Sequence, residues 1–246
     1  MSEAPDCVID LGHTRVKWAE AKDGEVLGAS VGACPLDDLS AFDHFLANSQ
    51  TARAWLCGPA GSESLIQLEE RIARHGLSLR RMETGAIDLP VEPAYSSLGC
   101  DRWMAMQWAW QESRDGCCVV DCGTAVTVDL VDRNGRHRGG WIMAGLAALR
   151  AGLLERAPRL PRQLGPAGDP TRARRGSAEA VAAGTLLQLI GAIDRAVAVA
   201  SRELGQHPTV WLTGGDAKAV AGHLSAAARL DPWLVLRGVA MAAQRG

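Results

Sequence analysis

The 246-residue sequence predicts an α/β protein made by duplication, with two domains of roughly equal size. The first observation behind this is a repeat. VIDLGHTRVKWAEAKDGEV from Val8 and VVDCGTAVTVDLVDRNGRH from Val119 align without a gap, pairing Asp10 with Asp121, Gly12 with Gly123, and the Asp23-Gly24 turn with Asn134-Gly135. The second is what each copy spells: a strand, a tight glycine turn, an alternating strand, an Asp-Gly or Asn-Gly hairpin and a third strand, which is a three-stranded antiparallel meander. The third is a weaker echo downstream, where Trp55–Gly58 and Trp211–Gly214 each close an apolar strand with glycine before helix-like sequence. Domains commonly run to ~100–200 residues. Duplication therefore accounts for the length, with domains at 1–114 and 115–246 meeting near Ser113–Gly116.

The elements follow from spacing. After the first echo, Leu65, Leu68 and Ile72 fall three and four residues apart and Gly76 stands where a helix C-cap belongs, so a helix is predicted there. From Asp101 to Glu112, Trp103, Met106 and Trp110 form one stripe with Met104 and Trp108 beside it. A helix apolar around most of its circumference is expected to pack between domains or subunits. In the second half, the arginine-rich stretch from Leu160 to Arg175 carries Pro161, Pro166 and Pro170 and reads as a loop. Leu186, Ile190, Ile193 and Val197 then mark a long amphipathic helix starting at Ser177, an N-cap residue type.

Composition narrows the function. With 26 Lys+Arg against 28 Asp+Glu the net charge is −2, which predicts neither nucleic acid nor an anionic membrane as partner. The start MSEAPDC lacks the basic and apolar regions of a secretory signal, and no run approaches the ~18 apolar residues of a membrane span, so a cytoplasmic protein is expected. The 7 cysteines are odd in number without a C-x-x-C pair, and the 6 histidines form no H-x-x-x-H pair. Neither a disulfide framework nor a transition-metal site is predicted.

Two D-x-G turns in register point to a nucleotide cleft, because glycine lets backbone N–H groups approach phosphate oxygens while a nearby carboxylate holds the accompanying cation. In this reading Asp10 organises a hydrated Mg²⁺, the Gly12–Thr14 backbone and Lys17 meet phosphates, and Thr124 beside Gly123 meets them from the other domain. Gly214-Gly215, ending the strand of the second echo, adds to the constellation. Singly, Asp10 and Asp121 would read as turn caps and Lys17 as a solvated strand residue.

The whole pattern resembles the type III pantothenate kinases, a branch of the superfamily of sugar kinases, heat-shock chaperones and actin. DLGHTRVKW resembles the first phosphate motif D-x-G-N-T-x-x-K, GCDRW resembles G-x-D-R-W, and VVDCGTAVTVD resembles D-x-G-T-x-x-T-x-D. RHRGGWIMAGL, GSAEAVAAG, LTGGDA and PWLVLRG follow in the family's order. The resemblance implies two duplicated RNase H-like (actin-like ATPase) domains with the nucleotide cleft between them, the second carrying an adenosine-type GG motif. It implies ATP phosphate contacts from Asp10, Leu11, Gly12, His13, Thr14, Arg15, Val16 and Lys17, completed by Thr124. It also implies a monovalent cation, K⁺ or NH₄⁺, at Asp121, and a pantothenate site comprising Tyr95, Gly99, Cys100, Asp101, Arg102 and Ser177, with Asp101 as catalytic base. Ser177 would be contributed across a homodimer interface. The implied reaction is ATP-dependent phosphorylation of pantothenate to 4′-phosphopantothenate, the first step of coenzyme A synthesis.

The chemistry of the residues agrees with that assignment. Phosphoryl transfer needs positioning and charge neutralisation more than covalent help. A carboxylate can take the alcohol's proton, and Arg102 can pair with a substrate carboxylate. As alternatives, Asp101 and Arg102 would be an N-cap and a first-turn side chain of the tryptophan helix. Three positions depart from the family: His13 for asparagine, Ala144 for proline and Ser177 for threonine. His13 motivates a competing reading, a kinase-like accessory protein without turnover. A third is another small-molecule kinase or an actin-like assembly protein, against which GCDRW argues.

Overall fold

The computed structural model describes residues 4–59 and 61–246, so Met1–Glu3, at the start of the expected first domain, lie outside the described residues. The chain forms two compact units. Unit 1 is Met1–Arg114 with Arg133–His137 and Trp233–Gly246, and unit 2 is Asp115–Asp132 with Arg138–Pro232. The first break falls within the Ser113–Gly116 stretch. Two later segments, however, are counted with unit 1 rather than with residues 115–246.

Unit 1 is built on β1 (Asp6–Leu11), β2 (Arg15–Lys22), β3 (Glu25–Val26), β4 (Gly32–Pro35), β5 (Arg53–Cys57) and β6 (Ser78–Arg81), with helices α1 (Ser40–Asn48), α2 (Glu63–Arg74) and α3 (Cys100–Ser113). The sheet order is β3-β2-β1-β5-β6, with β4 also pairing β2. β1 runs antiparallel to β2 and parallel to β5. Asp23 at φ 53 and Gly24 at φ 80 make the two-residue turn between β2 and β3, the left-handed pair that an Asp-Gly hairpin requires. The third strand of the meander is broken: β3 is two residues long, a 3₁₀ turn over Gly28–Ser30 intervenes, and β4 then re-pairs with β2.

On this sheet α2 begins as its sequence dictates. The Ser62 side chain accepts from the Leu65 N–H at 3.2 Å, and Gly76 at φ 77 turns the chain beyond the helix end. Leu65, Leu68 and Ile72 enter a core with Ile9, Phe42 and Leu56. Each such side chain contributes roughly 1.5–3 kcal/mol of burial.

The tryptophan helix is covered by the end of the chain. α3 packs within unit 1, against the carboxy-terminal helix α7 (Leu234–Arg245), with Trp103, Met104 and Met106 fully buried. A Cβ on Gly238 of α7 would lie 1.9 Å from the Met104 carbonyl oxygen, so only glycine permits this approach.

Unit 2 holds β7 (Cys117–Cys122), β8 (Ala125–Val131), β9 (His137–Ala144, whose first residue, His137, falls in unit 1), β10 (Thr209–Thr213) and β11 (Ala228–Leu230), with α4 (Leu146–Arg156), α5 (Ser177–Leu204) and α6 (Ala217–Ala221). The sheet order β11-β10-β7-β8-β9 repeats the parallel and antiparallel arrangement around β1. The gap-free repeat nonetheless hides a one-residue difference. Leu11 pairs with Val16, whereas Cys122 pairs with Val126, so the second glycine turn is a residue shorter. Lys17 thus faces Asp10, while Thr127, not the aligned Val128, faces Asp121.

α5 is 28 residues long and apolar enough to cross a membrane by length and composition, contrary to the expectation that no such run exists. Leu186, Leu189, Ile190, Ile193 and Val197 nevertheless lie in the core of unit 2, against Val120, Val128 and Leu212. Its N-cap is Gly176, with no side-chain cap bond, and Ser177 is the first helical residue rather than the cap.

Candidate active site

In unit 1 the β1–β2 hairpin brings Asp10 and Lys17 together. Asp10 is 7% exposed, and its Oδ2 lies 3.2 Å from Lys17 Nζ. Burial raises the Asp10 carboxyl above the ordinary range; the Lys17 ammonium pulls it down and the Asp101 charge pushes it up. Asp101, although distant in sequence, therefore shares this neighbourhood. The turn between the strands is tied by the Gly12 N–H, which donates to the Arg15 carbonyl at 2.9 Å. That amide is engaged within the turn. His13, Thr14 and Arg15 are exposed, while Leu11 and Val16 are buried and can offer a ligand only backbone.

The start of α3 supplies the second group. Gly99 is its N-cap, and Asp101 and Arg102 are first-turn residues, so neither is the cap. Asp101 Oδ1 accepts from the Arg102 N–H at 2.8 Å, and a Cβ at Gly99 would lie 2.6 Å from that same oxygen. Glycine at 99 thus leaves room for the carboxylate. Arg102 Nη1 donates to the Tyr95 hydroxyl at 3.1 Å, and Tyr95 is 42% exposed. Cys100 is partly buried, and Cys57 pairs with Asp10 across β1 and β5; burial, first of all, and then the neighbouring Cys100 raise the Cys57 thiol well above its ordinary value.

Sequence reasoning passed over two buried polar residues of this unit. Gln107, fully buried on α3, accepts the Val91 N–H at 2.9 Å and donates to the Val91 carbonyl at 3.0 Å. His137 is 4% exposed and accepts the Ala94 N–H at Nδ1. A lone glutamine among tryptophans and methionines was the available signal for the first; the second lies in RHRGGWIMAGL, a segment matched to the family without a role for the histidine.

Unit 2 carries the remaining residues. Asp121 stands near the end of β7, with Gly123 and the exposed Thr124 following. Gly214 has φ +94, and a Cβ there would lie 2.4 Å from Asp121 Oδ1, so this glycine makes room for the carboxylate. Thr213 pairs with Asp121 across β7 and β10, and among the described residues its fully buried hydroxyl has no hydrogen-bond partner. The Gly145 N–H donates to the Thr124 carbonyl at 3.2 Å. The Asp216 N–H donates to the Cys122 carbonyl at 3.0 Å, and burial raises the Asp216 carboxyl against the opposing pull of Arg150. Ser177 is exposed.

Residues 7–199 match the family model described as Type III pantothenate kinase. The chain belongs to the type III pantothenate kinase family. A relative from Azotobacter vinelandii, named type III pantothenate kinase, is 33% identical over 243 residues, covering 95% of this chain and 96% of its own. Among solved structures, a Baf family protein from Campylobacter jejuni superposes with a TM-score of 0.60 at 19% identity, over 94% of both chains. A glucokinase from an Antarctic psychrotroph superposes with a TM-score of 0.52 at 13% identity, over 98% of both. These likenesses show the fold alone, a two-unit α/β architecture shared with that glucokinase.

Proposed function

We propose that the protein transfers the γ-phosphoryl group of Mg·ATP to the primary hydroxyl of pantothenate, opening coenzyme A synthesis. The family match over residues 7–199 carries this reading. In the reaction the alcohol oxygen bonds to phosphorus, the bond from phosphorus to the ADP oxygen breaks, and Asp101 takes the hydroxyl proton. Such a base contributes ~10²–10⁴-fold. Arg102 and Tyr95 hold the pantothenate carboxylate end, with Gly99 and Cys100 shaping the approach and Ser177 supplied by a second copy in a homodimer. Large exposed apolar residues of unit 2, Ile142, Leu153 and Leu187, support that dimer.

For the nucleotide, residues 10–17 and Thr124 receive the phosphates. Asp10 fits a hydrated Mg²⁺: it is a hard oxygen donor, and among the described residues no group of three or more His, Cys, Asp or Glu could hold the ion alone, so phosphate and water complete its shell. When bound, Mg²⁺ neutralises charge on the phosphates. Asp121 fits a monovalent cation, K⁺ or NH₄⁺, because the buried, unpartnered Thr213 hydroxyl beside it on the ladder offers further oxygen. The seven free thiols fit the reducing cytoplasm.

The test is ADP release with Mg·ATP, with and without pantothenate, in K⁺ and in Na⁺. Pantothenate-dependent release that needs K⁺ and falls at least about 100-fold in Asp101→Asn is the expected result. No release from folded protein would reject turnover and make His13→Asn the next variant.

A further inference from the structure

We propose that His137 is a positioning residue for Tyr95, and through Tyr95 for Arg102. The inference rests on the pantothenate reading of those two residues. The segment Val91–Tyr95 has two anchors within unit 1. At its start, Val91 is held by α3, through both bonds to Gln107 and through the Trp103 indole N–H, which donates to the Val91 carbonyl at 2.8 Å. At its end stands the turn segment Arg133–His137. The Glu92 N–H donates to the Gly135 carbonyl at 2.8 Å, and the His137 N–H donates to the Glu92 carbonyl at 3.0 Å. Gly135, at φ +77, allows this approach, since a Cβ there would lie 2.5 Å from the Pro90 carbonyl oxygen.

These backbone bonds set the imidazole under Ala94 and Tyr95. His137 Nδ1 accepts the Ala94 N–H at 3.4 Å, and the Tyr95 ring sits tilted over it, 6.0 Å between centroids. An accepting Nδ1 requires the proton on Nε2, so the neutral ring with that tautomer does the holding. The Tyr95 hydroxyl then meets Arg102 at 3.1 Å. Buried polarity next to a half-exposed tyrosine is thus explained: His137 fixes where the phenol ends, and the phenol fixes the guanidinium.

Tyr95 is the one tyrosine in the sequence, so its ring can be watched directly. With ring-¹³C-tyrosine, His137→Leu should move the single ring signal toward its unfolded position and leave the tryptophan indole signals in place. His137→Asn, which keeps an acceptor, should return it toward wild type. Ala94→Pro, which deletes the donor and leaves the buried imidazole untouched, should act like His137→Leu and covers the case that the latter does not fold. In turnover, the KM for pantothenate should rise about tenfold in His137→Leu and Ala94→Pro, with kcat and the KM for ATP within twofold, and His137→Asn should recover most of it. An unmoved tyrosine signal in folded variants overturns the proposal, as does equal loss in kcat and both KM values. Wild-type protein that does not phosphorylate pantothenate would sink the substrate reading alone, because the tyrosine signal still decides what His137 holds.

Discussion

Burial raises the Asp10 carboxyl, and only part of that rise is offset by Lys17 at 3.2 Å. A carboxyl that holds its proton more tightly in the folded than in the unfolded chain costs stability as pH climbs. The folded state is favoured below the unfolded value, near ~3.9 for aspartate, and that advantage is lost as pH rises through the folded value. In the ligand-free protein at pH 7, Asp10→Asn should therefore raise the melting temperature while weakening use of Mg·ATP. Scanning calorimetry from pH 7 down to pH 4 tests this. The gap between variant and wild type should close with falling pH, and a gap that widens would show that the Lys17 pair outweighs the burial cost. The converse change, Lys17→Met, removes the group that lowers the carboxyl and should destabilise the protein at pH 7, by less at pH 4. Together the two outcomes would mark Asp10 as a position where the proposed phosphate role is kept against stability.

Glycines placed against backbone decide how neighbouring elements meet. Gly145, the N-cap of α4, would carry a Cβ 2.3 Å from the Gly123 carbonyl oxygen and 2.5 Å from that of Thr124. Neither oxygen can yield without moving the second glycine turn. Gly145→Ala should cost about 1–3 kcal/mol in urea unfolding and raise the KM for ATP, because overpacking displaces Thr124. Gly238→Ala should cost a similar amount by parting α7 from α3, but with the KM for ATP unchanged. A pair of variants equal in both measures would contradict the link between Gly145 and the phosphate turn. How far these elements were legible in sequence follows the same division. The strands around Asp10 and Asp121 show as alternation, α2 shows as three-four spacing, and Asp23-Gly24 announces its own turn. The one-residue shortening of the second glycine turn does not show, because pairing register is fixed by backbone bonds that leave the ungapped alignment intact. Nor does the partner of α7, since an apolar helical face states that it will be covered without stating by what. The helix start near Asp101 was readable, but its sequence favoured Asp101 as the cap, whereas Gly99 takes that place and Asp101 falls in the first turn; the charge of Asp101 acting on Asp10 needed the fold.

Across the whole chain the seven cysteines form a natural reporter of both folding and ligand. Six are buried and Cys100 alone is partly exposed. Burial pushes the Cys118 and Cys122 thiols up to about 12, and raises Cys7, Cys34, Cys57 and Cys117 as well. The thiolate is the reactive form, so at pH 8 these six are doubly protected, by access and by a vanishing thiolate fraction. A thiol-specific chromophoric reagent should accordingly modify one cysteine quickly in native protein and all seven after denaturation, with the slow six following global or unit-wise opening. Peptide mapping should find the fast label on Cys100. Because Cys100 precedes Asp101 at the start of α3, pantothenate should slow that first reaction, and Mg·ATP alone should slow it less. Fast labelling of two or more cysteines would mean that a core strand opens readily. Labelling of Cys100 at one rate with and without saturating pantothenate would detach the start of α3 from the alcohol substrate, whatever the ADP-release assay shows.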